Sequence, residues 1–140
     1  GAQFMMKSND FNIQDKPQFI ELVILEAGSL FPDRKDTVAL EELYRKAKDV
    51  GLELCSAVVG PHYRLKYKNQ PVNSELKIAM TPIDMSSIDY SPYDNPYDNS
   101  DKGVFSVDHF DGEGYFLNCS LVNLTGVWSV KEEVIFCLPK

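Results

Sequence analysis

The sequence lacks the local motifs that mark the common catalytic and nucleotide-binding sites. It contains no glycine-rich phosphate loop, no Cys-x-x-Cys spacing and no Gly-x-Ser-x-Gly nucleophile turn. With only two histidines and three cysteines, few side chains are available as imidazole bases or as soft metal ligands. A chemistry therefore has to be argued from the fold and from a small number of side chains.

Long hydrophobic runs are also missing. No segment approaches the ~18 to 20 consecutive apolar residues of a membrane-spanning helix, and no basic region followed by an apolar stretch marks a signal peptide. Gly1 to Phe4, ahead of Met5 and Met6, resemble a cloning remnant before a natural start. We expect a cytoplasmic location; a secreted chain whose signal peptide has been removed is the alternative.

Basic residues are outnumbered, because 14 Lys and Arg against 21 Asp and Glu give a formal net charge of −7. Surfaces that follow nucleic-acid phosphates or anionic membranes need clustered cations, so we expect neither a nucleic-acid partner nor a membrane partner. The 140 residues and the hydrophobic content of 44% fit one soluble, acidic domain with a single core.

The cysteines are few and odd in number. Cys55, Cys119 and Cys137 each lie in or beside an apolar run. This pattern favours buried thiols in a reducing compartment over a disulfide framework, and we expect at least two of the three to be buried. Cys55 and His62 are the one pair that resembles a nucleophile and its base, but the apolar neighbours of Cys55 indicate a neutral buried thiol.

One amphipathic helix is predicted over residues 40–50. Its apolar residues recur at helical spacing and form one stripe: Leu40, Leu43, Tyr44, Ala47 and Val50. Asp36 or Thr37 is the predicted N-terminal cap, and Gly51 is the residue that ends the helix in a left-handed conformation.

Short strand-like segments surround this helix: residues 19–25, 52–59, 63–68, 76–80, 104–110, 115–122 and 133–138. Tyr63, Leu65 and Tyr67 alternate strictly with three cations, which is the pattern of a half-buried strand. The sequence therefore predicts an α+β fold: a curved, mainly antiparallel sheet of about six or seven short strands, open or barrel-like, with one helix packed on it.

Two segments interrupt the pattern. Residues 1–17 are polar and carry no periodicity, which predicts a flexible N-terminal arm before a single domain over residues 18–140. Residues 86–102 hold a tandem Pro-Tyr-Asp-Asn repeat, whose prolines and asparagines predict a long loop between two strands.

From residue 19 onwards the chain resembles a group of small uncharacterised bacterial proteins. The shared segments, in order, are Gly-Leu-Glu-Leu-Cys at 51–55, Val-Gly-Pro at 59–61, Arg-Leu-Lys-Tyr at 64–67, Gln-Pro at 70–71 and the strand at 76–80. The chain departs from the group at Ser56, where proline is usual, and in the tandem repeat. The resemblance implies no activity, because the group has no assigned function.

The predicted hairpin at residues 108–113 offers one set of candidate ligands. His109, Asp111 and Glu113 lie at its rim, and imidazole with carboxylates suits zinc or manganese. Asp108 points to the other face of its strand, so it does not orient His109. Ordinary turn chemistry beside a surface histidine is the competing interpretation.

Aromatic residues offer a second set. Tyr90, Tyr93 and Tyr97 in the tandem repeat, together with Trp128, supply contact area at low entropy cost and are candidate partner-binding residues. These features favour a non-catalytic binding or interaction module, without a cofactor, that takes a protein or carbohydrate ligand. The alternative is a small metal-dependent hydrolase that uses His109, Asp111 and Glu113.

Overall fold

The structure is a computed structural model that describes residues 2–7, 20–84, 102–123 and 125–139. The predicted flexible arm is therefore described only at residues 2–7, where Ala2–Met6 form a short helix whose Met5 side chain is buried. Of the predicted loop at residues 86–102, only Lys102 lies within the described residues.

The fold is α+β with a mainly antiparallel sheet, as the sequence predicts. The strands are β1 Leu22–Glu26, β2 Thr37–Ala39, β3 Ser74–Ile78, β4 Ile83–Asp84, β5 Lys102–Phe110, β6 Gly114–Leu121, β7 Val127–Ser129 and β8 Glu133–Cys137. The helices are α1 Ala2–Met6, α2 Leu40–Asp49 and α3 Val59–Lys66, with a 3-10 helix at Ala27–Leu30.

Within the described residues, six strands form one open sheet in the order β1-β8-β3-β5-β4, and β6 also pairs with β5. β2 and β7 form a separate antiparallel pair. The neighbours β3 and β8 run parallel, and the other described pairs are antiparallel. These strands do not close into a barrel.

Strand β8 is buried on both faces. Val134 and Phe136 belong to a cluster with Leu43 of α2, whereas Ile135 packs in a second cluster with Val59 of α3. Successive side chains of a strand point to opposite faces, so the two clusters lie on opposite sides of the sheet. This explains why residues 134–137 are a continuous apolar run and do not alternate.

Helix α2 is where the sequence predicts it, but it begins differently. Residues 37–39 form strand β2, so the predicted caps Asp36 and Thr37 are wrong. The Glu42 carboxylate instead accepts a hydrogen bond from the Ala39 N–H at 3.3 Å, which satisfies one unpaired donor at the helix start. Gly51 ends the helix at φ 91°, as predicted.

The predicted strand at residues 63–68 is wrong, because the chain forms helix α3 there. Pro61 lies in the first turn, where its missing N–H leaves no intrahelical bond unmade. Tyr63 and Tyr67 are four residues apart and both pack against the core, whereas Leu65 is 73% exposed. The predicted strand at residues 52–59 is reduced to one bridge, between Glu53 and Cys137.

Candidate functional site

A cleft of about 420 Å³ opens at one edge of the large sheet. Its walls come from the start of β3, the end of β5 and the turn that leads from β7 into β8; they are Asn73, Ser74, Glu75, Phe110, Ser129, Lys131, Glu132 and Glu133. Because β3 and β8 are parallel, both strands begin at this edge, and Leu76 pairs with Glu133. The topology therefore brings together segments that are far apart in the sequence.

The lining of the cleft is acidic. Three glutamates and one lysine contribute to it, and these side chains have a formal charge of −2 when all are ionised. Glu75 and Glu133 are exposed residues of the neighbouring strands β3 and β8. A concave surface of one charge sign raises the local concentration of ions of the opposite sign, so the cleft attracts cationic groups.

One wall of the cleft is fixed by backbone hydrogen bonds. The Glu132 N–H donates to the Ser129 carbonyl at 3.0 Å and closes the turn before β8. On its outer side the Ala27 N–H donates to the Glu132 carbonyl at 2.8 Å. The Ser129 hydroxyl also accepts the Lys131 N–H at 3.2 Å. The turn is therefore held in one conformation against the 3-10 helix.

The opposite wall is organised by Asn73, which has a left-handed backbone with φ 60°. Its N–H donates to the His109 carbonyl at 2.7 Å, and its side-chain oxygen accepts the Asp111 N–H at 3.3 Å. Asparagine tolerates this conformation better than most residues do. Asn73 thus joins the turn before β3 to the β5–β6 hairpin.

The predicted metal ligands lie near this wall but are not brought together. Nδ1 of His109 lies 2.6 Å from the Gln70 carbonyl oxygen, and its ring stacks on Tyr115 at 4.2 Å between centroids. Asp111 and Glu113 are exposed in the hairpin turn. In the part of the chain that the structure describes, no group of three or more His, Cys, Asp or Glu side chains is arranged to hold a metal ion.

Asp108 and His109 do point to opposite faces, as the strand pattern predicts. Asp108 is buried, and its carboxylate accepts hydrogen bonds from the Ser106 hydroxyl and from Nδ2 of Asn118, the latter at 2.6 Å. These hydrogen bonds replace those that the carboxylate would make to water, and so reduce the free-energy cost of burying its charge. Asp108 therefore stabilises the sheet and does not orient His109.

Arg64 forms a network that the sequence pattern did not indicate. Its guanidinium donates to the Gln70 side chain at 2.7 Å and to the Asp108 carbonyl at 3.0 Å, and it lies 4.8 Å from the Tyr115 ring centroid. The pKa of Arg64 is lowered, mainly because the guanidinium is partly buried; Tyr115 and Asp108 offset part of this effect. This arginine fastens α3 to the β5–β6 hairpin.

The aromatic candidates have different outcomes. Trp128 lies in β7, is half-buried and packs against both core clusters. It directly precedes the cleft residue Ser129 in the sequence, but it is not itself one of the residues that line the cleft. Tyr90, Tyr93 and Tyr97 lie outside the described residues.

No protein-family model matches this chain, and no curated protein or solved structure matches it significantly. Within the residues described, no helix is long and apolar enough to cross a membrane. Any function therefore has to be argued from the cleft and its surroundings.

Proposed function

We propose that the protein is a non-catalytic binding module whose cleft takes a lysine- or arginine-bearing segment of a partner protein. The observation that carries the proposal is a cleft of about 420 Å³ whose charged lining is three glutamates and one lysine. Its volume lies in the range of roughly 300 to 1,000 Å³ that is usual for ligand sites.

The chemistry of the lining favours a long cationic side chain. Phe110 is half-buried and offers an apolar surface on which the methylene stem of a lysine or arginine can pack. The Glu75 carboxylate, on the same face of the sheet as Phe110, then meets the charged end group, and Glu132 and Glu133 add negative charge to the lining. Asn73 and Ser129 supply hydrogen-bonding groups for the backbone of the same segment.

A binding module is preferred to a metal-dependent hydrolase on geometric grounds. Nδ1 of His109 already contacts the Gln70 carbonyl, and the ring is stacked on Tyr115. Such a contact would still allow Nε2 to bind a metal, but His109, Asp111 and Glu113 are not arranged to hold one in the part of the chain that the structure describes. A neutral carbohydrate could donate hydroxyl hydrogen bonds to the glutamates, but it would gain nothing from the net negative charge of the lining.

The test measures binding of a blocked pentapeptide with two lysines, using the fluorescence of Trp128, the single tryptophan. The control ligand is the same peptide with both lysines acetylated, which removes their charge. We expect the charged peptide to bind more tightly than the acetylated one, and its affinity to fall as the salt concentration rises.

The double variant Glu75→Gln, Glu133→Gln removes two charges from the cleft. If each exposed ion pair contributes about 0.2 to 1 kcal/mol, affinity for the lysine peptide should fall roughly 2- to 30-fold. Glu41→Gln, on the exposed side of α2, removes a charge outside the cleft and should leave affinity unchanged. Equal affinity for the two peptides, or no binding at millimolar concentration, would contradict the proposal.

A further inference from the structure

Two buried cysteines meet in the core cluster that also contains Val59 and Phe105. The sulfur atoms of Cys55 and Cys137 are 2.8 Å apart, and both residues are buried free thiols. Cys137 is the last residue of β8, and Cys55 lies in the segment that connects α2 to α3. The third cysteine, Cys119, is half-buried in β6.

The backbone holds the two sulfurs in place from both sides. The Glu53 N–H donates to the Cys137 carbonyl at 2.8 Å, and the Cys137 N–H donates to the Glu53 carbonyl at 2.9 Å. The Cys55 N–H donates to the Ala79 carbonyl at 2.6 Å. The connecting segment is thus bonded both to β8 and to the residue that follows β3, so the backbones that carry the two sulfurs are held close together.

We propose that Cys55 and Cys137 are a redox pair that closes to a disulfide by exchange with a small disulfide such as glutathione disulfide. An S–S bond is ~2.05 Å long, so the sulfurs need to approach by less than one ångström. The proposal is independent of the acidic cleft and would stand if that cleft bound nothing.

The exchange occurs in two balanced steps. The Cys137 thiolate attacks one sulfur of glutathione disulfide, forms a mixed disulfide and releases one glutathione thiolate. The Cys55 sulfur, after losing its proton, then attacks the Cys137 sulfur and expels the second glutathione. Two protein thiols are oxidised, one glutathione disulfide is reduced to two glutathione molecules, and the two thiol protons pass to the released thiolates.

Cys137 is the first nucleophile because it is the last residue of β8, where local opening exposes a sulfur most readily. Its S–H donates to the Cys55 sulfur, and the Cys55 S–H donates to the Ile135 carbonyl at 3.5 Å. The contact between the two sulfurs also lowers the pKa of Cys137 and raises that of Cys55, which favours the same order. Cys55 then resolves the mixed disulfide.

Access to the pair requires local opening. Cys137 is 6% exposed, and its bonds to Glu53 must break before a tripeptide disulfide can reach the sulfur. Such opening at the end of a strand needs less free energy than global unfolding. Burial also raises the pKa of Cys119, which weakens that thiol as a competitor.

The experiment equilibrates the native wild-type chain in glutathione buffers of increasing oxidised fraction. Samples are quenched with acid, unfolded, alkylated and analysed by intact mass and peptide mapping. We expect a species with two fewer alkylated thiols, a cross-linked peptide that contains Cys55 and Cys137, and a melting temperature raised by roughly 5 °C or more. Three alkylated thiols in every buffer, or a cross-link through Cys119, would overturn the proposal.

Variants distinguish the roles of the two sulfurs. Cys55→Ser should stop the reaction at the glutathione adduct of Cys137, and Cys137→Ser should leave Cys55 without an adduct over the same time. Cys119→Ser is the matched control and should form the disulfide at the wild-type rate. An adduct on Cys55 in the Cys137→Ser chain would reverse the assigned order. If a variant does not fold, the wild-type mass data still decide whether the disulfide forms.

Discussion

Gly60 provides a sharp test of how α3 packs on the sheet. It is the second residue of α3 and lies directly against Phe105 of β5, which is fully buried. A Cβ atom added at Gly60 would lie 2.7 Å from Cβ and 2.9 Å from Cγ of Phe105. The first of these atoms is attached to the backbone of β5, so rotation of the phenylalanine side chain cannot remove the clash.

Two effects of opposite sign compete in the change Gly60→Ala. Alanine in place of glycine stabilises a helix by about 0.5 to 1 kcal/mol in its interior, and by less in the first turn. Overpacking a tight core contact destabilises by about 1 to 3 kcal/mol. Because the nearest contact is at 2.7 Å and does not relax by side-chain rotation, overpacking wins. We expect a net loss of about 1 to 2 kcal/mol in the free energy of unfolding.

The assay is equilibrium unfolding in urea, with a shift in the midpoint at unchanged slope as the measure of stability. His62→Ala, at an exposed position of the same helix, reports the helix-propensity term alone and should not destabilise. A Gly60→Ala chain as stable as the wild type would refute the placement of α3.

Two further predictions concern α2. Leu43→Ala should lower the free energy of unfolding by roughly 2 to 5 kcal/mol, because Leu43 is fully buried between the helix and β8; a urea midpoint shift equivalent to less than about 0.5 kcal/mol would mean that the helix packs elsewhere. Tyr44→Phe should cost about 1 kcal/mol at pH 8, because the phenol donates to the Met80 carbonyl at 2.9 Å and accepts the Met80 N–H at 3.1 Å. Burial raises the pKa of Tyr44, so the folded chain holds this proton more tightly than the unfolded chain does. The resulting stabilisation is complete below the unfolded pKa of about 10 and is lost as the pH rises above it. Urea unfolding at pH 8 and pH 11 should therefore show a larger alkaline loss for the wild type than for Tyr44→Phe, and equal losses would contradict the burial of this phenol.

Elements could be predicted from the sequence where their hydrophobic pattern repeats several times or where a glycine turn joins two strands. α2 shows its apolar stripe over nearly three turns, and β5 and β6 are joined by a turn with glycines at positive φ, Gly112 and Gly114. α3 could not be predicted, because Tyr63 and Tyr67 are four residues apart. That spacing places two side chains on one face of a strand and also on one face of a helix, and six residues are too few to distinguish the two. The alternation in the sequence was real, but it did not distinguish the two structures.

The cleft could not be predicted, because its residues are close only through pairing. Glu75 and Glu133 line the same cleft because β8 enters the sheet parallel to β3, so that both strands begin at the same end of the sheet. Neither the sequence near Glu75 nor the run Lys131, Glu132, Glu133 signals that the other segment is a neighbour. The contact between Cys55 and Cys137 depends in the same way on a single bridge at Glu53. Register across distant strands is information that local patterns do not contain.

The central position of β8 has a consequence for synthesis on the ribosome. β8 lies between β1 and β3, yet Glu133, the start of β8, comes 55 positions after Ile78, the end of β3. At about 5 to 20 residues per second, translation of that interval takes about 3 to 11 s. During this time both neighbouring strands present apolar side chains and backbone edges that only β8 will cover. The nascent chain should therefore be a substrate for chaperones that bind extended apolar segments, and a ribosome stalled in this interval should expose an aggregation-prone half-sheet.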